Sequence, residues 1–176
     1  MISEKLTKAL NEQVNAEYYS AYLYHSMSAC MESAALKGAA NWLFVQAKEE
    51  MAHGINIYQY ILDRGAVPAL AQIQAPTASF PNIEGVFQAV LEHEQKVTAL
   101  INALASLAMK ESDHACYQFI MWYVNEQVEE EANASEILSK IQLIGNDTGL
   151  LLTLDNELAA RTFVNPFPTN SKLSGV

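Results

Sequence analysis

Cysteine, proline, glycine and positive charge are all scarce in this chain, and each scarcity removes a class of protein. Two cysteines in 176 residues, Cys30 and Cys116, cannot build a disulfide framework or a thiolate cluster. Each falls near the edge of a helical apolar face and is expected to be a small buried thiol. Five prolines and seven glycines are too few for a strand-and-turn fold and favour long helices. The 10 Lys and Arg are outnumbered by 20 Asp and Glu, for a net charge of −10. Nucleic acid or an anionic membrane would demand the opposite balance, whereas cations suit this one. No apolar run reaches the ~20 residues that span a bilayer, and no basic-then-apolar leader opens the chain. The expected location is the cytoplasm.

What the chain does have is apolar residues, 51% of it, enough to give one domain a sizeable core. They recur at spacings of three and four, the period of one helix face. The first helix is expected from Ser3, its N-cap, to about Met31, with the stripe Leu6, Leu10, Gln13, Glu17, Ser20, Tyr24, Met27, Met31. The second runs from about Lys37 to Arg64, with Gly65 placed to end it and the stripe Leu43, Gln46, Glu50, His53, Ile57, Ile61. The third, from Asn82 to about Met109, carries Phe87, Val90, Glu94, Val97, Ile101, Leu104; the fourth, from Asp113 to about Leu143, carries Ile120, Tyr123, Gln127, Glu130, Ala134, Ile137, Ile141.

Between the second and third helices lies the one long irregular stretch, Ala66 to Phe80, holding Pro68 and Pro76. Fifteen extended residues reach about 50 Å, more than the roughly 40 Å of the helix before them. The segment can therefore travel the length of a bundle, which predicts a crossover of the ferritin-like class and not simple up-down winding. A short fifth helix is expected over about 148–162. Its Leu150, Leu151, Leu152 and Leu154 are too apolar to lie bare, which points to a subunit contact. The tail over 164–176, with Pro166 and Pro168, is expected to be loose.

Each long stripe is broken near its midpoint by a polar group. On the second helix Glu50 and His53 lie about 60° apart and point the same way. Glu94 alone interrupts the third stripe, where an unpaired charge would cost several kcal/mol. Stacked in a bundle, Glu17, Glu50, His53, Glu94, Gln127 and Glu130 would meet at one level. Four carboxylates within ~6 Å cannot all stay ionised without cations. Two divalent ions bridged by Glu50 would resolve the conflict, and oxygen ligands with one imidazole suit iron or manganese.

In combination, Glu17, Glu50-x-x-His53, Glu94, Gln127-x-x-Glu130, the crossover and the fifth helix resemble a bacterial non-haem ferritin over essentially all of residues 1–163. The resemblance implies one iron held by Glu17, Glu50 and His53, and its neighbour by Glu50, Glu94 and Glu130. It gives Gln127 a supporting hydrogen bond and maps a third, weaker iron position onto Glu49, Glu126 and Glu129 with Glu130 shared. Tyr24 matches the family tyrosine beside the centre. Trp122 could donate an electron or simply fill the core. Haem-containing bacterioferritins carry a second Glu-x-x-His where this chain has Gln127 and Glu130, so Met51 is read as packing and no haem is expected. His25, His93 and His114 fit no ligand position and are expected at the surface or an interface, and Glu131 on a solvated face.

The implied function is oxidation of Fe(II) by O2 and storage of hydrous ferric oxide inside a shell of twenty-four identical chains. Two alternatives stay open at this point: a di-iron or di-manganese redox enzyme, such as a peroxide scavenger, without a shell, and a metal buffer without turnover.

Overall fold

A computed structural model describes residues 2–167, and among them it contains five helices and no strand. These are α1 (Glu4–Ser33), α2 (Lys37–Asp63), α3 (Ile83–Lys110), α4 (His114–Ile144) and α5 (Thr148–Leu158). The helices begin where short polar side chains can accept the first free amides. Ser3 accepts from Leu6, Asn82 from Gly85, Asp113 from Cys116, and Asp147 from Gly149 and Leu150. α2 has no such local cap. Its Ala39 amide donates instead to Asp155 Oδ1 of α5 at 2.8 Å.

α1 and α2 form an antiparallel hairpin, and α3 and α4 form a second. The connection between the pairs lies along α1. The Ala69 amide donates to Asn11 Oδ1 at 2.8 Å, Asn15 Nδ2 to the Ala71 and Gln72 carbonyls at 3.3 Å, and Ser26 Oγ to the Thr77 carbonyl at 2.8 Å. The chain thus climbs from the level of Asn11 to that of Ser26 before α3 starts, as the crossover expectation requires. α3 then runs parallel to α2. Arg64 Nη2, 2.6 Å from Asp113 Oδ2, ties the end of α2 to the start of α4.

Every residue of the four sequence stripes is buried. They form two apolar clusters. One gathers Leu6, Leu10, Val14, Ile57, Ile61, Ile101 and Ile120 at one end; the other gathers Tyr24, Met27, Met31, Leu43, Phe87, Val90 and Ile137 at the other. Between them lies a polar layer.

Two expectations need adjusting. α5 ends at Leu158, short of residue 162; Leu154 and Leu158 are buried and Leu151 packs partly on the same apolar cluster, while Leu150 and Leu152 face outward. Within the tail, 162–165 are exposed but the Phe167 ring lies against Trp122 at 4.6 Å; residues 168–176, including Pro168, lie outside the described residues. No described helix is long and apolar enough to cross a membrane.

α5 is seated on α2 through a glycine. A Cβ on Gly38 would lie 1.6 Å from the Asp155 carbonyl oxygen, a clash with backbone that no rotamer relieves. Gly38→Ala is therefore expected to lift α5 off α2 and uncap Ala39, at about 1 kcal/mol for the cap alone. Amide hydrogen exchange should quicken over 154–158 while the four long helices keep their protection. Unchanged exchange there would contradict this seating.

Candidate metal centre

The polar layer is built from one or two residues of each long helix, all at most 5% exposed: Glu17 from α1, Glu50 and His53 from α2, Glu94 from α3, Gln127 and Glu130 from α4. Glu17, Glu50 and His53 each bring one ligand atom within 4.8 Å of the others. His53 Nδ1 lies 3.5 Å from Glu50 Oε2 and 4.0 Å from Glu17 Oε2. Glu17 Oε2 has no hydrogen-bond partner although fully buried. A cation between these three atoms would supply what Glu17 otherwise lacks, so the donor set fits a divalent metal ion bound through oxygen and imidazole nitrogen.

Neutral amides and one phenol hold the other oxygens. Gln13 Nε2 donates to Glu17 Oε1 at 2.8 Å. Gln46 Nε2 donates to Glu50 Oε1 at 3.1 Å and to Glu130 Oε2 at 2.7 Å, so one amide links the α2 and α4 acids. Gln127 Nε2 donates to Glu94 Oε2 at 3.1 Å and reaches Thr98 Oγ1 at 3.2 Å. The Tyr24 hydroxyl donates to Glu94 Oε1. Such donors orient ligands without adding a charge that would compete with a metal.

Burial dominates the protonation of the layer. It pushes Glu17 well above the usual carboxylate range, helped by the charge of Glu50. It does the same to Glu130, helped by Glu94, and raises Glu94 to about 8, with Glu50 adding to the shift. Burial also opposes ionisation of Glu50, but the hydrogen bond and charge of His53 more than offset it and leave Glu50 below its ordinary value. His53 shows the mirror image: burial lowers it, and Glu50 more than restores it. The layer thus pairs Glu50 with His53, while burial opposes ionisation of the other three carboxyls.

Of the residues singled out in the sequence, the structure thus brings together Glu17, Glu50, His53, Glu94, Gln127, Glu130 and Tyr24. It does not bring the outer acids together. Among the described residues, Glu17, Glu50 and His53 form the one group with three convergent ligand atoms. Glu126 is half-buried and Glu129 exposed, while Glu49 is drawn into an ion pair with Arg161. Trp122 packs edge-on to His53 at 5.4 Å, and the Tyr123 hydroxyl donates to the His53 carbonyl at 3.1 Å.

Two expectations need qualifying. His93 is half-buried and not free at the surface: its Nε2 is 2.8 Å from Ser20 Oγ, and its ring stands edge-on to Tyr24 at 5.8 Å. Glu131 is not on a free face but accepts from Thr98 Oγ1 across the α3–α4 seam. Gln13 and Gln46 were legible as stripe positions, one turn before Glu17 and Glu50, yet a glutamine in a stripe announces no role. Arg161 gave no signal.

Comparison with known proteins agrees with this geometry. Residues 7–144 match the family model of the ferritin-like domain. The chain is 40% identical over 163 residues to a bacterial non-heme ferritin of Staphylococcus haemolyticus, covering 93% of this chain and 98% of that one. A Staphylococcus aureus protein of the same description is 39% identical over the same length. Among solved structures, an engineered closed form of the Archaeoglobus fulgidus ferritin superposes with a TM-score of 0.92 at 46% identity, over 93% of this chain and all of that one. The open-pore ferritin of the same archaeon superposes with 0.90 at 46% identity, over 92% of this chain and 98% of that one.

The protonation pattern fixes how stability should follow pH. A carboxyl raised by folding stabilises below its unfolded value and loses that contribution as pH rises through its folded value. Glu94 places this window between about 4.5 and about 8; Glu17, Glu130 and the raised His53 act in the same sense, while the lowered Glu50 acts only below it. The chelated protein should therefore melt lower at pH 9 than at pH 6, by about 2–4 °C per kcal/mol lost. Saturating divalent metal should remove most of that slope, since metal displaces the same protons. Calorimetry of both forms checks it; a flat profile for the chelated form would exclude the pattern.

Proposed function

As this chain belongs to the ferritin family, we propose that it is a ferroxidase that stores its product. It oxidises Fe(II) with O2 in the buried layer and keeps hydrous ferric oxide inside a shell of twenty-four like chains. Iron and O2 are then substrates, not resident cofactors, and no haem takes part. The observation that carries this reading is the convergence of Glu17, Glu50 and His53 in a sealed core, with Glu94 and Glu130 at the same level. A surface acid cluster could bind metal loosely, but only a buried one must lose protons, keep water out and present fixed ligands.

On this reading one Fe(II) is held by Glu17, Glu50 and His53, and a second by Glu50, Glu94 and Glu130. A third, weaker position lies among Glu49, Glu126 and Glu129 with Glu130 shared. The iron and O2 supply the redox chemistry. The chain's part is to give up the protons of Glu17, Glu94 and Glu130 as metal arrives and to hold their oxygens through Gln13, Gln46 and Gln127. Tyr24, bonded to Glu94, is placed to steady that ligand and to pass an electron to the centre. Trp122, against His53, is the more distant candidate for the same task. The outward Leu150 and Leu152 of α5 fit burial between subunits. Free thiols at Cys30 and Cys116 suit a reducing cytoplasm.

Loading the protein with Fe(II) without oxygen and then admitting a pulse of O2 tests the proposal. Oxygen should be consumed in a fast phase set by subunit concentration, and Glu50→Ala should slow that phase about 100-fold. Uptake no faster than in buffer would reduce the protein to a metal buffer. A 20 kDa or dimeric species in size-exclusion chromatography would leave a redox enzyme without a store. Tyr24→Phe should bind metal as before but turn over more slowly; an unchanged rate would remove Tyr24 from the mechanism.

A further inference from the structure

Beyond α5 the chain turns back along α2. Asp155 caps Ala39. Asn41 Nδ2 donates to the carbonyls of Ala159 at 3.3 Å and Arg161 at 2.9 Å. The Arg161 guanidinium lies over the Trp42 ring at 4.3 Å, and its Nη2 pairs with Glu49 Oε2. Phe167 ends the described chain against Trp122 at 4.6 Å and His53 at 6.0 Å. Residues 155–167 therefore form a strap that follows α2 from its first turn to His53, passing Glu49 on the way.

Arg161 is the cation that this strap delivers to Glu49, one of the outer acids. The ion pair is largely enclosed, with side-chain exposures of 21% and 18%, so solvent screens it less than a surface pair. Yet the guanidinium is only half engaged, since its Nη1 is buried with no partner. A group held in this way neutralises Glu49 while leaving part of its own hydrogen-bonding capacity unused.

We propose that Arg161 is the built-in counter-ion of the third position, and that a metal ion bound by Glu49, Glu126 and Glu129 must first displace it. The strap then sets the affinity of that position and leaves the inner pair untouched. This rests on the third position in the function proposed above. The physical basis is competition. A tethered cation sits at high local concentration, and metal binds with an apparent affinity reduced by the fraction of molecules in which Arg161 still covers Glu49.

Zn(II), which does not turn over, tests this in the full assembled protein, by calorimetric titration together with anomalous scattering from soaked crystals. The parent protein should bind two ions tightly and a third weakly. Arg161→Gln should tighten the third step about tenfold and leave the first two unchanged, while Arg161→Lys, which keeps the charge, should stay near the parent. Asn41→Ala, which loosens the strap without altering a charge, should shift the third step the same way by less, and carries the test should Arg161→Gln not assemble. A third ion seen only in Arg161→Gln would also support the proposal. A third step unchanged or weakened in Arg161→Gln would overturn it and leave Arg161 an anchor for α5. Two ions and no third in either protein would remove both this proposal and the third position, with the inner pair standing. No binding at Glu17, Glu50 and His53 would sink the centre itself.

Discussion

Mutual repulsion among four carboxylates in one dry layer is the constraint on which the structure turns. Glu17, Glu50, Glu94 and Glu130 cannot all be charged in a core without cations. The protein meets this with the side chains of the layer itself. Burial opposes ionisation of Glu17, Glu94 and Glu130, while Glu50 pairs with His53. The apolar clusters above and below the layer fix the helices independently of it. The core stabilises the subunit; the layer works against that stability and is tolerated for its chemistry.

The same constraint explains the topology. Each helix turns 100° per residue, so a slip of one residue would carry a ligand out of the layer. Four helices must therefore agree in rotation and height at their midpoints. Tight hairpins set the height within each pair, and the crossover sets it between pairs, fastened to α1 at Asn11, Asn15 and Ser26. The Arg64–Asp113 ion pair fixes α2 to α4 from the opposite end. What looks like a long irregular loop is a ruler for the layer.

The sequence told much about this layer and little about what encloses it, for a physical reason. Helical periodicity is a local signal, and the stripes through Glu17, Glu50, Glu94 and Glu130 named the buried residues of all four helices correctly. A candidate metal layer was legible because acids in a buried stripe are hard to explain otherwise. Contacts without periodicity were invisible. Asp155 reaches Ala39 across 116 positions and Arg161 reaches Glu49 across 112, and no spacing rule connects them. His93 misled for a subtler reason. It lies one residue off the α3 stripe, where periodicity predicts solvent, but Ser20 of α1 supplies a partner there and the imidazole is drawn inward.

The kinds of group that neutralise the two acid sets differ, and the difference follows from what each set must do. Around the inner acids the donors are the Gln13, Gln46 and Gln127 amides and the Tyr24 hydroxyl, dipoles that orient the oxygens without adding a full charge. A lysine or arginine there would repel every metal ion at close range in a low dielectric, and the centre would be neutral but useless. Glu49, of the outer acids, faces Arg161, a full charge carried on a segment that belongs to none of the four long helices. A cation fixed among the inner acids would exclude a metal ion, whereas one tethered from a segment outside the four long helices can be competed away from Glu49 as the proposal requires.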